Sequence, residues 1–343
     1  MGANIEAIAD AIRRCKRFVV TAHLSPDGDA EASQLSMAHL LRLADKEAIV
    51  VNDEGPPVQY AFLPETEAIA ETVPDDFEPD AVIVIDTPRH DKINCGAVRE
   101  HFDDGDSAPD TLGGSSWSDI TTLFVDHHGD AAGVGDHILI DSSACSASSL
   151  VYRLMRQLGV EPDVTLATQI VSGILTDTGR FCFEQTNSEA MAIGSEMIDA
   201  GVNIARLANE LFFKNSYESI KLMGNAISTI EISESGRVAT MALTDEPVAS
   251  DGKPVEIETL PDHTVSIRGV EIGMFFRPTN DGRVRVSARS ADEANVNEFA
   301  HQFGGGGHRK AAGIRVDGPI EKAREELVNA AEAYLDEHLP SKD

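Results

Sequence analysis

The sequence RFVVTAHLSPDGD, residues 17–29, joins a short apolar run to a loop that is rich in acidic and turn-forming residues. Residues 17–22 are mostly β-branched or aromatic and have the length of a strand. This run leads directly into His23, Asp27 and Asp29. A strand that ends in polar side chains is typical of an open α/β sheet whose edge carries a ligand site.

Three further apolar runs have the same strand-like character and alternate with amphipathic stretches. The runs lie at residues 47–51, 81–85 and 121–125. Apolar residues recur with helical spacing in residues 30–43, 145–158 and 165–175. Strands that alternate with helices predict an α/β fold, in which helices cover the faces of a mainly parallel, doubly wound sheet.

The rest of the chain predicts a second, smaller α+β domain. Residues 187–228 have a helical pattern with little turn chemistry apart from Gly201. Strand patterns follow at residues 229–232, 237–244, 270–277 and 283–290, and helical patterns at 293–302 and 320–339. We therefore predict an α/β domain at residues 1–188, a helical linker at 189–228 and the smaller domain at 229–343.

The composition is typical of a folded intracellular protein. Of the 343 residues, 42% are hydrophobic, and no apolar run approaches the ~18 residues of a membrane-spanning helix. The N-terminal residues have no basic stretch followed by an apolar core, so no secretory signal is predicted. The four cysteines lie far apart, which indicates neither a disulfide framework nor a thiolate metal site. We expect a cytoplasmic protein with no membrane partner.

The charge of the chain is strongly acidic. It has 28 lysines and arginines against 58 acids, a formal net charge of −30. Acidity spread over a chain with few lysines is typical of proteins from salt-loving cells, because high salt screens the self-repulsion. We therefore predict a halophilic protein of haloarchaeal origin. The same charge disfavours a long basic track for nucleic acid, so a phosphate-bearing ligand must be held locally.

Polar side chains also follow the other predicted strands. Asp86 comes directly after the run at 81–85, and Asp126, His127 and His128 follow the run at 121–125. Asp177 follows a further apolar run. Because the carboxyl ends of parallel strands meet at one edge of a sheet, we expect these groups to share one cleft.

Acids and imidazoles that converge in this way repel one another unless a cation lies among them. The ligands are oxygen and imidazole without thiolate, which favours manganese or magnesium over structural zinc. There are too many ligands for one ion, so we predict a pair of ions that clamps a phosphate oxygen and activates a water. The alternative is a set of ordinary loop residues, since Asp and Gly are common turn formers. Their joint occurrence at successive strand ends favours the metal site.

In order and spacing, these motifs resemble those of the DHH phosphoesterase superfamily. The four motifs are His23-x-x-Pro26-Asp27-x-Asp29, Asp86, Asp126-His127-His128 and Thr176-Asp177-Thr178-Gly179. In the second domain, the GGGGHRKAAG stretch at residues 304–313, preceded by SARS at 287–290, resembles the first type of DHH-associated domain. The two sets of motifs extend over nearly the whole chain.

The resemblance implies a role for each matching residue. One metal ion would be held by His23, Asp27 and Asp86. The second would be held by Asp29, Asp86, His127 and Asp177. Asp86 would thus bridge the two ions, which are expected to be manganese, with magnesium or cobalt as alternatives. His128 would stabilise charge or donate a proton at the scissile phosphate, and Asp126 would orient the neighbouring histidine.

The glycine-rich stretch predicts a phosphate site in the second domain. Consecutive glycines let backbone N–H groups approach an anion, and together with the start of a following helix they could bind a phosphate. The residues expected to bind substrate are Gly305, Gly306, Gly307, His308 and Arg289. The alternative for four glycines alone is a flexible hinge.

The expected activity is hydrolysis of a phosphate ester by a metal-activated hydroxide. Within the superfamily, the length of the chain resembles the compact group of oligoribonucleases that act on very short RNAs and phosphatases of 3'-phosphoadenosine 5'-phosphate. The partners are therefore expected to be short RNA or DNA oligonucleotides or a nucleotide bisphosphate, and the resemblance implies a homodimer. RecJ-like single-strand exonucleases, cyclic-dinucleotide phosphodiesterases and a non-catalytic scaffold of a replication complex are the alternatives.

Overall fold

The computed structural model describes residues 2–103, 110–244, 259–279, 281–291 and 293–339. The chain forms two units, residues 1–214 and 215–343. The division falls inside the segment 189–228, for which the sequence predicts a helical linker. The predicted domain bounds at 188 and 228 stay a prediction.

The first unit alternates strands and helices as the sequence predicts. Its described strands are β1 (Arg17–Thr21), β2 (Glu47–Val50), β3 (Ala81–Ile85), β4 (Thr111–Leu112), β5 (Ser115–Ser116), β6 (Thr121–Asp126) and β7 (His137–Ile140). Its described helices are α1 (Gly2–Arg14), α2 (Gly28–Leu43), α3 (Gly96–Phe102), α4 (Ala147–Leu158), α5 (Val164–Asp177), α6 (Ser188–Asp199) and α7 (Ile204–Phe213).

A parallel sheet forms the centre of the first unit. Among the described residues, its strands lie in the order β2-β1-β3-β6-β7, and all neighbouring pairs are parallel. All five residues of β3 are buried, as expected for a central strand covered by helices on both faces. Apolar side chains form separate core clusters, with Phe18 and Ile83 in one and Val82 and Phe124 in another. The predicted α/β fold is confirmed.

The second unit is smaller and has a mixed sheet. Its described strands are β8 (Glu231–Ile232), β9 (Val238–Ala242), β10 (Ile272–Pro278), β11 (Arg283–Ser290), β12 (Gly306–Gly307) and β13 (Ala311–Asp317). Its described helices are α8 (Tyr217–Ile227), α9 (Asp262–Val265), α10 (Val296–His301) and α11 (Ile320–His338). The strand order is β12-β13-β11-β10-β9-β8, in which β9 and β10 are parallel and the other neighbours are antiparallel. Among the described helices, none is both long and apolar enough to cross a membrane.

Candidate metal and phosphate site

Three adjacent strands of the first sheet deliver the polar side chains to one edge. β1 continues into His23 and the loop to Asp29, β3 into Asp86, and β6 ends at Asp126. Because β1, β3 and β6 are parallel neighbours, their carboxyl ends lie side by side. Asp177 is the last residue of α5.

The ligand atoms of these residues form three close groups, in each of which they lie within 4.8 Å of one another. The groups are His23, Asp27 and Asp86; Asp29, His127 and Asp177; and Asp86, Asp126, His127 and His128. The fold thus brings together all eight side chains that the sequence indicates for this edge. Asp86 belongs to two of the groups, although the metal-binding roles themselves stay a prediction.

Backbone geometry orients the first group. Asp27 caps α2, and its Oδ1 accepts the amides of Asp29 and Ala30, both at 3.0 Å, so Oδ2 makes neither of these bonds. His23 Nδ1 lies 2.8 Å from the Leu24 carbonyl oxygen. Since a carbonyl only accepts, Nδ1 carries the proton and Nε2 is the nitrogen that could bind a cation.

Asp29 is held by the start of α4. One carboxylate oxygen accepts the Ala147 amide at 2.5 Å and the other accepts the Ser148 amide at 3.1 Å. Ser146 caps this helix through the Ser149 amide. A negative side chain at a helix N-terminus is favoured because the amides there have no intrahelical partner. This support for Asp29 does not follow from the motif spacing.

Two glycines give the site its tight packing. A Cβ on Gly173 of α5 would lie 2.3 Å from Asp29 Oδ1 and 2.0 Å from Ser148 Oγ. A Cβ on Gly28 would lie 2.4 Å from the Thr176 methyl carbon. Both distances are shorter than packed atoms tolerate, so α2 and α5 approach closely only because these positions have no side chain. A small residue inside the apolar pattern of α5 is the signal that could have indicated this contact.

Asp126 orients His128. Its Oδ1 accepts the His127 amide at 2.6 Å, the His128 amide at 2.9 Å and His128 Nδ1 at 2.7 Å. Nδ1 therefore carries a proton and donates it to Asp126. Burial opposes the charged imidazole, but the hydrogen bond to Asp126 and the charge of Asp86 outweigh it and raise the pKa of His128 to about 9.

The carboxylates are buried and lie close enough together to shift one another's pKa values. Burial and the charges of Asp86 and Asp177 raise the pKa of Asp29 well above its usual range. Burial likewise raises the pKa of Asp177 to about 7, although His127 opposes the shift. Burial would also raise the pKa of Asp86, but the adjacent His127 and His128 reverse the effect and lower it. The pKa values of neighbouring acids are thus shifted in opposite directions, and strongly shifted pKa values are common at functional sites.

Buried carboxylate oxygens without a hydrogen bond fit a cation site, although His127 Nε2 lies 3.5 Å from Asp86 Oδ1 and 3.6 Å from Asp177 Oδ2. In the part of the chain that the structure describes, Asp86 Oδ1, Asp126 Oδ2 and Asp177 Oδ2 are buried without a hydrogen-bond partner. Such atoms are costly when nothing compensates them. The backbone of Asp86 is also left-handed, with φ 51°, a strained conformation that is typical of functional positions in non-glycine residues. The donor set of oxygen and imidazole is the one that divalent manganese or magnesium accepts.

The residues predicted to bind substrate lie together in the second unit. Arg289 on β11 pairs with Ala311 on β13, and β12 places Gly306 opposite Gly313. The His308 amide donates to the Ala311 carbonyl oxygen at 2.7 Å. These residues therefore lie at one end of the second sheet, where β11 ends and β13 begins.

The expected use of the glycine amides needs a correction. No helix follows the glycines: residues 306–307 and 311–317 are strands joined by a turn, so the helix start expected there is wrong. The Gly305 amide donates to the Ala300 carbonyl oxygen at 2.9 Å, and the Gly307 amide donates to Asn297 Oδ1 at 2.9 Å. A Cβ on Gly305 would lie 2.2 Å from the Gly313 carbonyl oxygen, which explains the need for glycine. The sequence did not indicate the role of Asn297, because this residue lies on the helix that precedes the motif and is not part of it.

Comparison with known proteins agrees with both units. Residues 17–174 match the DHH family, N-terminal domain, and residues 236–337 match the DHHA1 domain. The chain is 31% identical over 322 residues to the bifunctional oligoribonuclease and PAP phosphatase NrnA of Thermus thermophilus, covering 92% of this chain and 89% of the relative. It is 26% identical to the protein of the same name from Bacillus subtilis, and the match covers 87% of this chain and 89% of that relative. A crystal structure of an exopolyphosphatase-related protein from Bacteroides fragilis has a TM-score of 0.81 at 23% identity, covering 99% of this chain and 97% of that one.

Proposed function

Because the chain belongs to the DHH family and is a hydrolase of phosphoester bonds, we propose that it degrades very short oligonucleotides and 3'-phosphoadenosine 5'-phosphate with two divalent ions. The observation that carries this proposal is the convergence of three ligand groups, two of which share Asp86, at one sheet edge. The similarity to two NrnA proteins, each covered over 89% of its length, supports the choice of substrate class.

The proposed ligands are those that the resemblance implies, and each of them belongs to one of the three groups. His23, Asp27 and Asp86 would hold one ion, and Asp29, Asp86, His127 and Asp177 would hold the other. Manganese is the proposed metal, with magnesium or cobalt as alternatives. When bound, such ions supply Lewis-acid polarisation of the phosphate and lower the pKa of a water molecule.

The protein's own side chains handle the leaving group. Asp126 holds the Nδ1 proton of His128 and keeps the ring in one orientation. A protonated His128 can then donate from Nε2 to the oxygen that leaves phosphorus, or stabilise the charge that develops there. The proposed division of roles makes His128 the catalytic residue and Asp126 its positioning partner.

The second unit is proposed to recognise the terminal phosphate of the substrate. Arg289 is a permanent cation, and His308 adds a second residue at the same end of the sheet. A few local cations suit short substrates, because a chain of net charge −30 has no surplus of positive charge for a long strand. A homodimer, a cytoplasmic location and a halophilic source stay predictions.

Substitution of Asp86 tests the activity. Asp86→Asn preserves the size of the side chain but removes its charge, and we expect at least a ~10³-fold loss of kcat because both ions depend on this carboxylate. Asp136→Asn is the matched control, since Asp136 accepts hydrogen bonds from Thr122 close to the start of β6. Circular dichroism should show both variants folded.

The substrate panel comprises 5'-phosphorylated RNAs of about two, five and twenty nucleotides, 3'-phosphoadenosine 5'-phosphate, cyclic dinucleotides and pyrophosphate, assayed with Mn²⁺. Preference for the shortest RNAs and the bisphosphate supports the proposal. Processive loss of the long RNA would favour a RecJ-like exonuclease, and preference for the cyclic compounds would favour a cyclic-dinucleotide phosphodiesterase. Full activity of Asp86→Asn would contradict the metal assignment, and a wild-type protein inactive on the whole panel would favour a scaffold.

A further inference from the structure

The short helix α9 packs closely against β10 at a glycine. Thr264 is fully buried, and its Oγ1 donates to the Pro261 carbonyl oxygen at 2.6 Å. A Cβ on Gly273 would lie 1.8 Å from Thr264 Oγ1 and 2.9 Å from a methyl carbon of Val265. Only glycine at position 273 therefore lets α9 lie this close to the strand.

The register of the sheet places Arg289 beside this contact. Gly273 on β10 pairs with Arg289 on β11. Asp262 is the first residue of α9, and its Oδ1 accepts from Arg289 Nε at 2.8 Å. The seat of α9 on Gly273 thus fixes a carboxylate against one edge of the Arg289 guanidinium.

A second acceptor holds the same guanidinium. Arg289 Nη1 donates to the Ala288 carbonyl oxygen at 3.2 Å. Among the residues that the structure describes, Nη2 has no hydrogen bond or ion pair. The side chain is about one quarter exposed, at 23%. Two of the three nitrogens are therefore engaged by protein, and the third is available to an anion.

We propose that Asp262 is a positioning residue for recognition of the substrate's terminal phosphate. It holds the Nε edge of Arg289 and so presents Nη2 to the phosphate. The inference rests on the proposed function, in which Arg289 binds that phosphate. An arginine fixed in advance loses less side-chain freedom on binding, which increases affinity without a new contact to the ligand.

A positioning role and simple electrostatics predict opposite changes in phosphate affinity when Asp262 is removed. Asp262 carries a negative charge that repels a phosphate, so its removal from a chain of net charge −30 should by charge alone strengthen binding. If orientation of Arg289 dominates, removal of Asp262 weakens binding instead. The direction of the change therefore distinguishes the two roles.

The experiment uses the full chain with Mn²⁺ and a 5'-phosphorylated dinucleotide. For Asp262→Ala we expect KM to rise about tenfold with kcat within about twofold of the wild type, because a positioning residue for binding changes affinity and not the chemical step. Asp262→Asn keeps an acceptor oxygen for Nε and should stay within about threefold of the wild-type KM. The kcat/KM for the same dinucleotide without its 5'-phosphate should be the same in all three proteins.

The second unit offers a matched control. Asp281 forms an equivalent ion pair with Arg283, six residues before Arg289 on the same strand. Asp281→Ala likewise removes one negative charge that is paired with an arginine of β11, but it should leave KM within about twofold of the wild type. In addition, Asp262→Ala in an Arg289→Ala background should not raise KM further, because Asp262 then has no guanidinium to position.

Each other outcome overturns the inference. An unchanged or lower KM in Asp262→Ala, while Arg289→Ala raises KM, would refute the role of Asp262 and leave the proposed function intact. An unchanged KM in Arg289→Ala would refute both the proposed phosphate binding by Arg289 and the positioning role of Asp262. Should Asp262→Ala melt near the assay temperature, Asp262→Ser, which has no oxygen that reaches Nε, replaces it. A wild-type KM in that variant is equally decisive against the inference.

Discussion

Gly173 controls the position of Asp29 although it makes no polar contact itself. Asp29 Oδ1 and Ser148 Oγ occupy the space that a Cβ at position 173 would fill. We expect Gly173→Ala to displace Asp29 and to lower the free energy of unfolding by about 1–3 kcal/mol through overpacking. If Mn²⁺ binds as proposed, it should raise the Tm of the wild type, and Gly173→Ala should remove most of that rise. Differential scanning calorimetry with and without Mn²⁺ measures both effects.

Gly194 provides the control for Gly173 in the same unit. It also lies inside a helix, but a Cβ there would meet only the Phe181 ring at 3.9 Å, an ordinary contact. Gly194→Ala should therefore be neutral or stabilising by up to about 1 kcal/mol, because alanine is the better helix former. A Gly173→Ala protein with an unchanged response to Mn²⁺ would show that Asp29 is not needed for metal binding.

The sequence can indicate which side chains meet at the site, but not how each is oriented. Strand ends and motif order were enough to bring Asp86 and Asp177 into one group with the histidines. The amides of Ala147 and Ser148 that hold Asp29 lie more than a hundred residues away along the chain. Their role depends on how α4 packs against α2, which no local pattern encodes. The same is true of Asp262, whose contact with Arg289 depends on the register of β10 and β11.

Two helices position three of the site's five acids, and a histidine connects these helices at a second point. The N-terminal region of α2 holds Asp27 and Asp29, and α5 ends at Asp177. Farther along α2, His39 Nε2 lies 3.0 Å from Asp163, the N-cap of α5, and Nδ1 lies 2.9 Å from Glu65. The relative position of the two helices is thus fixed at a second point away from the site.

Asp163 should make this link dependent on pH. Burial would raise its pKa, but the Leu166 amide and His39 outweigh that effect and lower it. A carboxyl whose pKa is lower in the folded than in the unfolded state stabilises the fold at pH values above its unfolded-state pKa, which is near 4. This contribution is lost as the pH falls through the folded-state pKa. We expect Asp163→Ala to cost about 1–2 kcal/mol at pH 7, mainly through the lost cap, and progressively less below about pH 4. Urea unfolding in EDTA measures the difference.

Asn187→Ala is the control for Asp163. Asn187 caps α6 by accepting the Ala190 amide at 2.9 Å, but its amide side chain does not titrate in this range. Asn187→Ala should lower the free energy of unfolding by a similar amount to Asp163→Ala at neutral pH, and this loss should stay constant on acidification. A cost of Asp163→Ala that is likewise constant down to pH 3 would rule out the titration of Asp163 as the cause.

The strands that the sequence predicts and those that it misses differ in their surroundings. β3 lies between two neighbours and is buried throughout, so its composition is continuously apolar. β7 is a four-residue edge strand with one buried residue, whereas β2, an edge strand of the same length that the sequence does predict, has two, so β7 gives the weaker alternation signal. β13 begins with Ala311, Ala312 and Gly313, which have low strand propensity, and its pairing is determined by β11 instead. Edges and glycine-rich strands therefore depend on tertiary contacts.

The net charge of −30 is a property of the whole molecule and predicts a strong dependence on salt. Self-repulsion destabilises a compact acidic protein, and the Debye length falls from about 10 Å at 0.1 M salt to about 3 Å at 1 M. We expect Tm to rise steeply between low and molar KCl, at a fixed concentration of Mn²⁺. Sucrose stabilises proteins without screening charge, and at matched osmolality it should give a smaller rise. A flat response to KCl would exclude halophilic adaptation.

A charge-reduced variant separates screening from other effects of salt. Glu325, Glu326 and Glu337 are exposed acids on α11, and their joint replacement by glutamine keeps side-chain size and helix propensity nearly unchanged. If repulsion limits stability, this variant should melt a few degrees above the wild type at low salt and show a shallower dependence on KCl. At molar KCl the two proteins should converge, because the screened charges no longer interact. Parallel curves at all salt concentrations would attribute the effect of KCl to something other than the acidic surface.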